Sequence, residues 1–154
     1  MLLGVEPGVI AGVGLSLALY LWRSSRPHAA IVGRVPETGH FRNVKRHKVL
    51  TDPRVLTIRI DESLTYLNAR WLEEFVLETV ADHPEAKHLV LMASAVNSID
   101  ASALESLEAI NHRLTDAGIK LHLSEVKSPV MDRLQRSSFL EELSGEVFLS
   151  QDEA

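Results

Sequence analysis

Between Glu6 and Arg23 the chain carries no charge: the sixteen residues from Pro7 to Trp22 read PGVIAGVGLSLALYLW. A helix that is apolar on every side has no wet face to offer a small protein's surface. It needs lipid around it, or far more protein than 154 residues supply. At about 1.5 Å per residue the sixteen span roughly 24 Å, and counting back to Met1 gives about 33 Å, against a hydrocarbon core of about 30 Å. Pro7 fits the first helical turn, where its missing N–H costs nothing. Tyr20 and Trp22 favour the membrane interface, and Arg23 and Arg26 stand just beyond it. A secretory leader would carry positive charge before its apolar core, whereas the only early charge here is Glu6. Gly4, Gly8, Gly12 and Ser16 recur every fourth residue and line one helix face, a stripe that lets a second membrane helix approach closely. Glycine is also frequent in membrane helices generally, so the stripe leaves both readings open.

Charge is distributed unevenly after this segment. From Arg23 to Lys48 seven basic residues (Arg23, Arg26, Arg34, Arg42, Lys45, Arg46, Lys48) face Glu37 alone. From Val49 onward nine basic residues face nineteen acidic ones. Basic residues directly after an apolar span, followed by an acidic domain, are an orientation signal before they are a nucleic-acid signal. They predict a cytoplasmic C-terminal side, with no nucleic-acid partner. The absence of cysteine excludes a disulfide framework and thiolate metal sites, and fits a reducing compartment.

The remainder alternates strand and helix signals. Ala30–Val35 predicts a short first strand, before a loop around Pro36 and Gly39. In Val55–Ile60, Leu56, Ile58 and Ile60 point one way and Val55, Thr57 and Arg59 the other, so one face should lie on helices and the other be wetter. Asn68 is placed to cap a helix carrying Leu72, Phe75, Val76, Thr79 and Val80 on one stripe, ended by His83-Pro84. A nearly continuous apolar strand follows at 88–94, then a helix after Asp100 that stops at Gly118. Residues 120–126 predict a strand, Ser128-Pro129 opens a helix to about Leu140, and 147–149 a short last strand. This order predicts an α/β fold: a small mixed or parallel sheet with helices mainly on one face, preceded by one hydrophobic transmembrane-type helix.

No catalytic constellation is present. The seven histidines form no H-x-x-x-H pair, phosphate-loop and dinucleotide glycine motifs are missing, and Ser102 has no neighbouring base in sequence. The chain therefore reads as a non-enzyme needing no cofactor and no metal. The informative segment is Asn97-Ser98-Ile99-Asp100-Ala101-Ser102-Ala103-Leu104, where a strand runs through a polar turn into an amphipathic helix. Asp100 stands at the N-cap, Ser102 and Glu105 repeat the capping-box spacing, and Ser102 lies at the positive end of the helix, where a phosphate would be favoured.

These residues, with Leu89 to Ser94 before them, resemble the STAS domain shared by sulfate transporters and anti-sigma-factor antagonists. Ala101 and Ala103 make the turn more similar to the tail of a SulP-type anion transporter than to a free antagonist. Gly4–Gly12, Leu19–His28, Val32–Pro36 and Phe41–Val44 resemble that family's last membrane helix, exit linker and approach to the domain. The resemblance implies a membrane helix over 1–22, a basic linker and first strand over 23–48, a STAS core over 49–150 and a tail over 151–154. It implies a regulatory and assembly role for a secondary transporter of sulfate, bicarbonate or dicarboxylate. The partners would be the transporter's own transmembrane domain, a second copy in a homodimer, and regulatory proteins meeting a surface of Asn97, Ser98, Asp100, Ser102, Arg133 and Arg136. The alternative implied by the antagonists is a membrane-attached signalling protein switched by phosphorylation of Ser102. Asp100 and Glu105 oppose such a phosphate, and Ala101 and Ala103 depart from the antagonist pattern.

Overall fold

A computed structural model describes residues 4–154; residues 1–3, the start of the membrane helix expected over 1–22, lie outside the described residues. The apolar run forms helix α1 (Val5–Ser25), whose 21 residues extend about 31 Å. Pro7 sits in its first turn as expected, and Arg23 in its last complements the negative helix end. No residue of α1 is buried, and Val9, Ile10, Leu15, Leu17 and Leu19 are bare. Their exposure matches a helix built for an apolar surrounding.

The rest of the chain is one six-stranded sheet with helices laid on it. The strands are β1 (Ala29–Arg34), β2 (Phe41–Asn43), β3 (Val55–Ile60), β4 (His88–Met92), β5 (Lys120–Ser124) and β6 (Val147–Phe148), in the order β2-β1-β3-β4-β5-β6. β1 runs antiparallel to both neighbours, and β3 to β6 run parallel. The helices are α2 (Ala69–Ala81), α3 (Ala101–Asp116), α4 (Ser128–Gln135) and the short α5 (Phe139–Glu142). β2 was not apparent from the sequence, because its three residues carry no alternating pattern of their own and depend on pairing with β1.

Register explains the core. Leu56 pairs with Leu89 and Leu89 with Leu121; Ile58 pairs with Leu91 and Leu91 with Leu123. The period of two therefore puts all six on one face, against Leu72 and Val76 of α2, Leu107, Ile110 and Leu114 of α3, and Val130 and Leu134 of α4. Each such side chain contributes about 1.5–3 kcal/mol by leaving water.

The opposite face differs from expectation. Thr57, Val90, Met92, His122 and Ser124 on it are buried, although Thr57 was read as lying on the wetter side. The cover is the C-terminal segment. Gln151 Nε2 donates to Thr57 Oγ1 (3.4 Å), the Ser124 hydroxyl donates to Gln151 Oε1, and Arg34 pairs with Asp152 (3.2 Å). One segment thus reaches from β5 across β4 to β1, and alternation within β3 gave no notice of it. The predicted single helix from Ser128 to about Leu140 is also interrupted. Ser137 Oγ donates to the Leu134 carbonyl and accepts from the Phe139 N–H, so the chain turns there and drops Phe139 fully into the core. Gly118, with φ +73°, stops α3 as its conformational freedom predicts.

Candidate functional site

The turn after β4 is held from three sides. Val96 and Ile99 are buried and anchor it to the core, while Asn97, Ser98 and Ser102 are exposed. Asp100 caps α3 by accepting from the Ala103 N–H (2.9 Å), and its second oxygen accepts from the Tyr66 N–H (2.7 Å). One carboxylate therefore fixes the helix start and the loop that leads into α2. That loop lies alongside the turn: Leu64 N–H donates to the Ser98 carbonyl, and Asp100 N–H to the Leu64 carbonyl. Ser63 Oγ accepts from the backbone N–H of both Asn97 and Ser98 (3.3 Å each). On the far side Lys127 Nζ donates to Asn97 Oδ1 (2.6 Å). Because Asp100 is the cap, Ser102 falls two positions too late to lead a capping box with Glu105. Its side chain stays on the surface at the start of a 16-residue helix.

The same loop grips the end of α1. Asn68 is fully buried, and its Oδ1 accepts from Thr65 N–H (2.9 Å). Its Nδ2 donates to the carbonyls of Ser63 (2.9 Å) and Ser24 (3.3 Å). Asn68 precedes α2 as expected, yet its side chain makes no cap bond to that helix. It is spent instead on joining three chain segments. The path from Ser24 through Asn68 and Ser63 to Asn97 and Ser98 is continuous in hydrogen bonds. Beside it, Asp61 receives Arg59 Nε (2.7 Å) and contacts His28 Nδ1 (2.8 Å), tying the end of β3 to the residues leaving α1. Burial acts to raise the Asp61 carboxyl, but the hydrogen bonds from Arg59 and His28 outweigh it and hold it below the ordinary range.

Asn97, Ser98, Asp100 and Ser102 are thus brought to one surface. Arg133 and Arg136 are exposed on and just after α4, and among the described residues no hydrogen bond or ion pair links them to the turn. Lys127, immediately before α4, is the cation that reaches it. Gly8, Gly12 and Ser16 are exposed along α1, Gly4 precedes it at the N-cap, and a Cβ added at Gly8 or Gly12 would meet nothing within 4 Å. Ser63 and Lys127 carry no signal in the sequence, and Asn68 signals only a cap, because each acts on a residue 30 or more positions away. Among the described residues no group of three His, Asp or Glu side chains is suited to a metal.

A mixed sheet with flanking helices, whose β4–α3 turn is the exposed polar feature, defines the class. Residues 47–154 match the STAS domain, a regulatory and non-catalytic fold, and the chain belongs to that family. It is homologous to SulP-type sulfate transporters. It is 31% identical to sulfate transporter 1.3 of Arabidopsis thaliana over 97% of its own length, and 30% identical to high affinity sulfate transporter 2 of Stylosanthes hamata over 95%. The chain spans about a quarter of those relatives (24% of each). Among solved structures it shares its fold with the murine Solute Carrier 26 family member A9 anion transporter, at TM-score 0.81 and 17% identity, covering 93% of this chain and 24% of that one. A Thermotoga maritima protein described as an anti-sigma factor antagonist shares the domain fold at TM-score 0.58 and 18% identity, over 68% of this chain and 86% of that one. The homology to membrane transporters and the one apolar helix support association with a membrane and with a transmembrane domain.

Proposed function

We propose that this chain is the regulatory and assembly segment of a SulP-type secondary anion transporter. α1 would be its last membrane helix, residues 23–48 its basic linker, and the STAS domain from 49 onward would lie in the cytoplasm. The observation that carries this reading is the hydrogen-bonded joint from Ser24 through Asn68 and Ser63 to the Asn97–Ser98 turn. A displacement of the helix end pulls directly on the exposed turn, so transport movements and partner binding at Asn97, Ser98, Asp100 and Ser102 are coupled. The transported anion belongs to the class of sulfate, bicarbonate or dicarboxylate, and the bare glycine face of α1 would receive a neighbouring membrane helix. The assembly we infer is a homodimer.

The test is a chimera in which this chain replaces the matching quarter of a plant sulfate transporter, assayed for sulfate uptake. Uptake should persist in the chimera and fall when Asn68→Ala cuts the joint at unchanged surface amount. Uptake indifferent to deletion of residues 49–154 would refute the reading. A second reading rests on the exposed Ser102 hydroxyl at the start of α3: phosphorylation there by a kinase would switch partner binding at the turn. Phosphosite mapping after incubation with candidate kinases tests it, and an unmodified Ser102 would retire it.

A further inference from the structure

The tertiary fold returns part of the basic segment to the place where α1 ends. β1 leaves that end at Ala29, and β2 comes back antiparallel to it, with Val32 opposite Asn43 and the Val44 N–H on the Ile31 carbonyl. Lys45 and Arg46 follow at once, in a turn closed by Asn43, whose Oδ1 accepts from Lys45 N–H (2.8 Å) and whose carbonyl accepts from Arg46 N–H. They border a groove with His28, Ala29 and Ala30, so residues fifteen to eighteen positions apart meet at one level of the sheet. Gly33 lets the chain run on from that turn back over β1. Residues 49–51 cross directly over it, and a Cβ there would stand 2.7 Å from the Leu50 carbonyl.

Arg23, Arg26, Lys45 and Arg46 are all exposed, and none forms an ion pair among the described residues. Glu78 of α2 and Asp82 just after it border the groove without pairing to Lys45 or Arg46. Tyr20 and Trp22, both bare, sit just before the cations in the last turns of α1. From Val49 onward the chain carries nine basic residues against nineteen acidic ones, so an anionic leaflet repels that part of the domain and the cations are the groups that can face it.

We propose that Arg23, Arg26, Lys45 and Arg46 form a docking surface for the headgroups of anionic phospholipids, setting the domain's tilt against the leaflet into which α1 exits. This rests on the reading of α1 as a membrane helix. Arg23 and Arg26 are delivered by the helix itself, whereas Lys45 and Arg46 are delivered only by the β1–β2 reversal. Each cation near an anionic leaflet strengthens docking about fivefold, so losing two weakens it about thirtyfold.

The chain has no cysteine, so His47→Cys gives a single labelling site beside the proposed contact. The full chain carrying a fluorophore there is placed in nanodiscs of phosphatidylcholine, with or without phosphatidylserine, and quenching by a headgroup-labelled lipid is read. Quenching should be strong only with phosphatidylserine. It should weaken about fivefold in Lys45→Gln, about thirtyfold in the Lys45→Gln/Arg46→Gln pair, and vanish near 1 M salt, where the screening length is about 3 Å. Equal quenching in both discs would overturn the proposal. So would a fluorophore response to inorganic phosphate in phosphatidylcholine discs equal to that seen with phosphatidylserine, which would mark a free-anion site. A chain that fails to enter the discs would overturn the membrane reading and this proposal with it.

Discussion

Replacing Asn68 with alanine removes three hydrogen bonds at once, and their surroundings differ. Thr65 N–H and the Ser63 carbonyl lose partners at 2.9 Å in a half-buried loop beside the buried Asn68, while the Ser24 carbonyl loses a longer bond (3.3 Å) at a helix end. An unsatisfied buried group costs about 1–3 kcal/mol, so two such groups predict a loss of about 2–6 kcal/mol, with the third largely replaced by water. Asn68→Asp keeps the acceptor for Thr65 but sets a carboxylate against two carbonyls. Its deficit should be at least as large at neutral pH and should shrink on acidification, because a protonated carboxyl regains one donor. Urea unfolding of the full chain in detergent, followed by Trp71 fluorescence in a Trp22→Phe background, measures both. Hydrogen exchange should show the loosening spread to Asn97 and Ser98, which Ser63 holds. A loss below about 1 kcal/mol, or unchanged protection at the turn, would refute the joint as a structural coupling.

Other outcomes follow from the same geometry. His122 Nδ1 accepts from the Glu146 N–H (3.0 Å), so its neutral ring carries the proton on Nε2 and donates to His88 Nδ1 (3.0 Å). Burial, then the charge of His88, hold the His122 pKa below its ordinary value of 6.5, despite the opposing pull of Glu146. The unfolded chain therefore binds more protons, and stability should fall as pH drops below about 6.5, by at most about 1.4 kcal/mol per pH unit. Chemical unfolding across that range should show the slope, and His122→Asn should flatten it. Gly145→Ala would set a Cβ 2.6 Å from His122 Nδ1 and against the Leu121 carbonyl, so β6 must shift, at a cost of about 1–3 kcal/mol in thermal unfolding. Asp100→Ala should cost about 1–2 kcal/mol for the lost cap, with faster exchange at the amides of Ala103 and Tyr66. Thr65 Oγ1 is buried without a partner among the described residues, so Thr65→Val should leave urea stability unchanged or raised.

Local patterns in the chain were enough for the features that depend on nearest neighbours. The uncharged run announced α1, alternation announced which side of β3 meets the helices, and Asp100 and Gly118 marked both ends of α3, because caps and periodicity act within a few residues. The polar turn at Asn97–Ser102 was visible for the same reason. What joins it to the rest was not. Asn68 looked like a helix cap and serves as a pin, Lys127 reaches a residue thirty positions earlier, and Gln151 covers a face that alternation left wet. Those roles belong to side chains whose partners arrive only when β1 reverses, the parallel strands align and the C-terminal segment crosses the sheet. A hydrogen bond is set by three-dimensional distance, so sequence separation hides the partners until the fold supplies them.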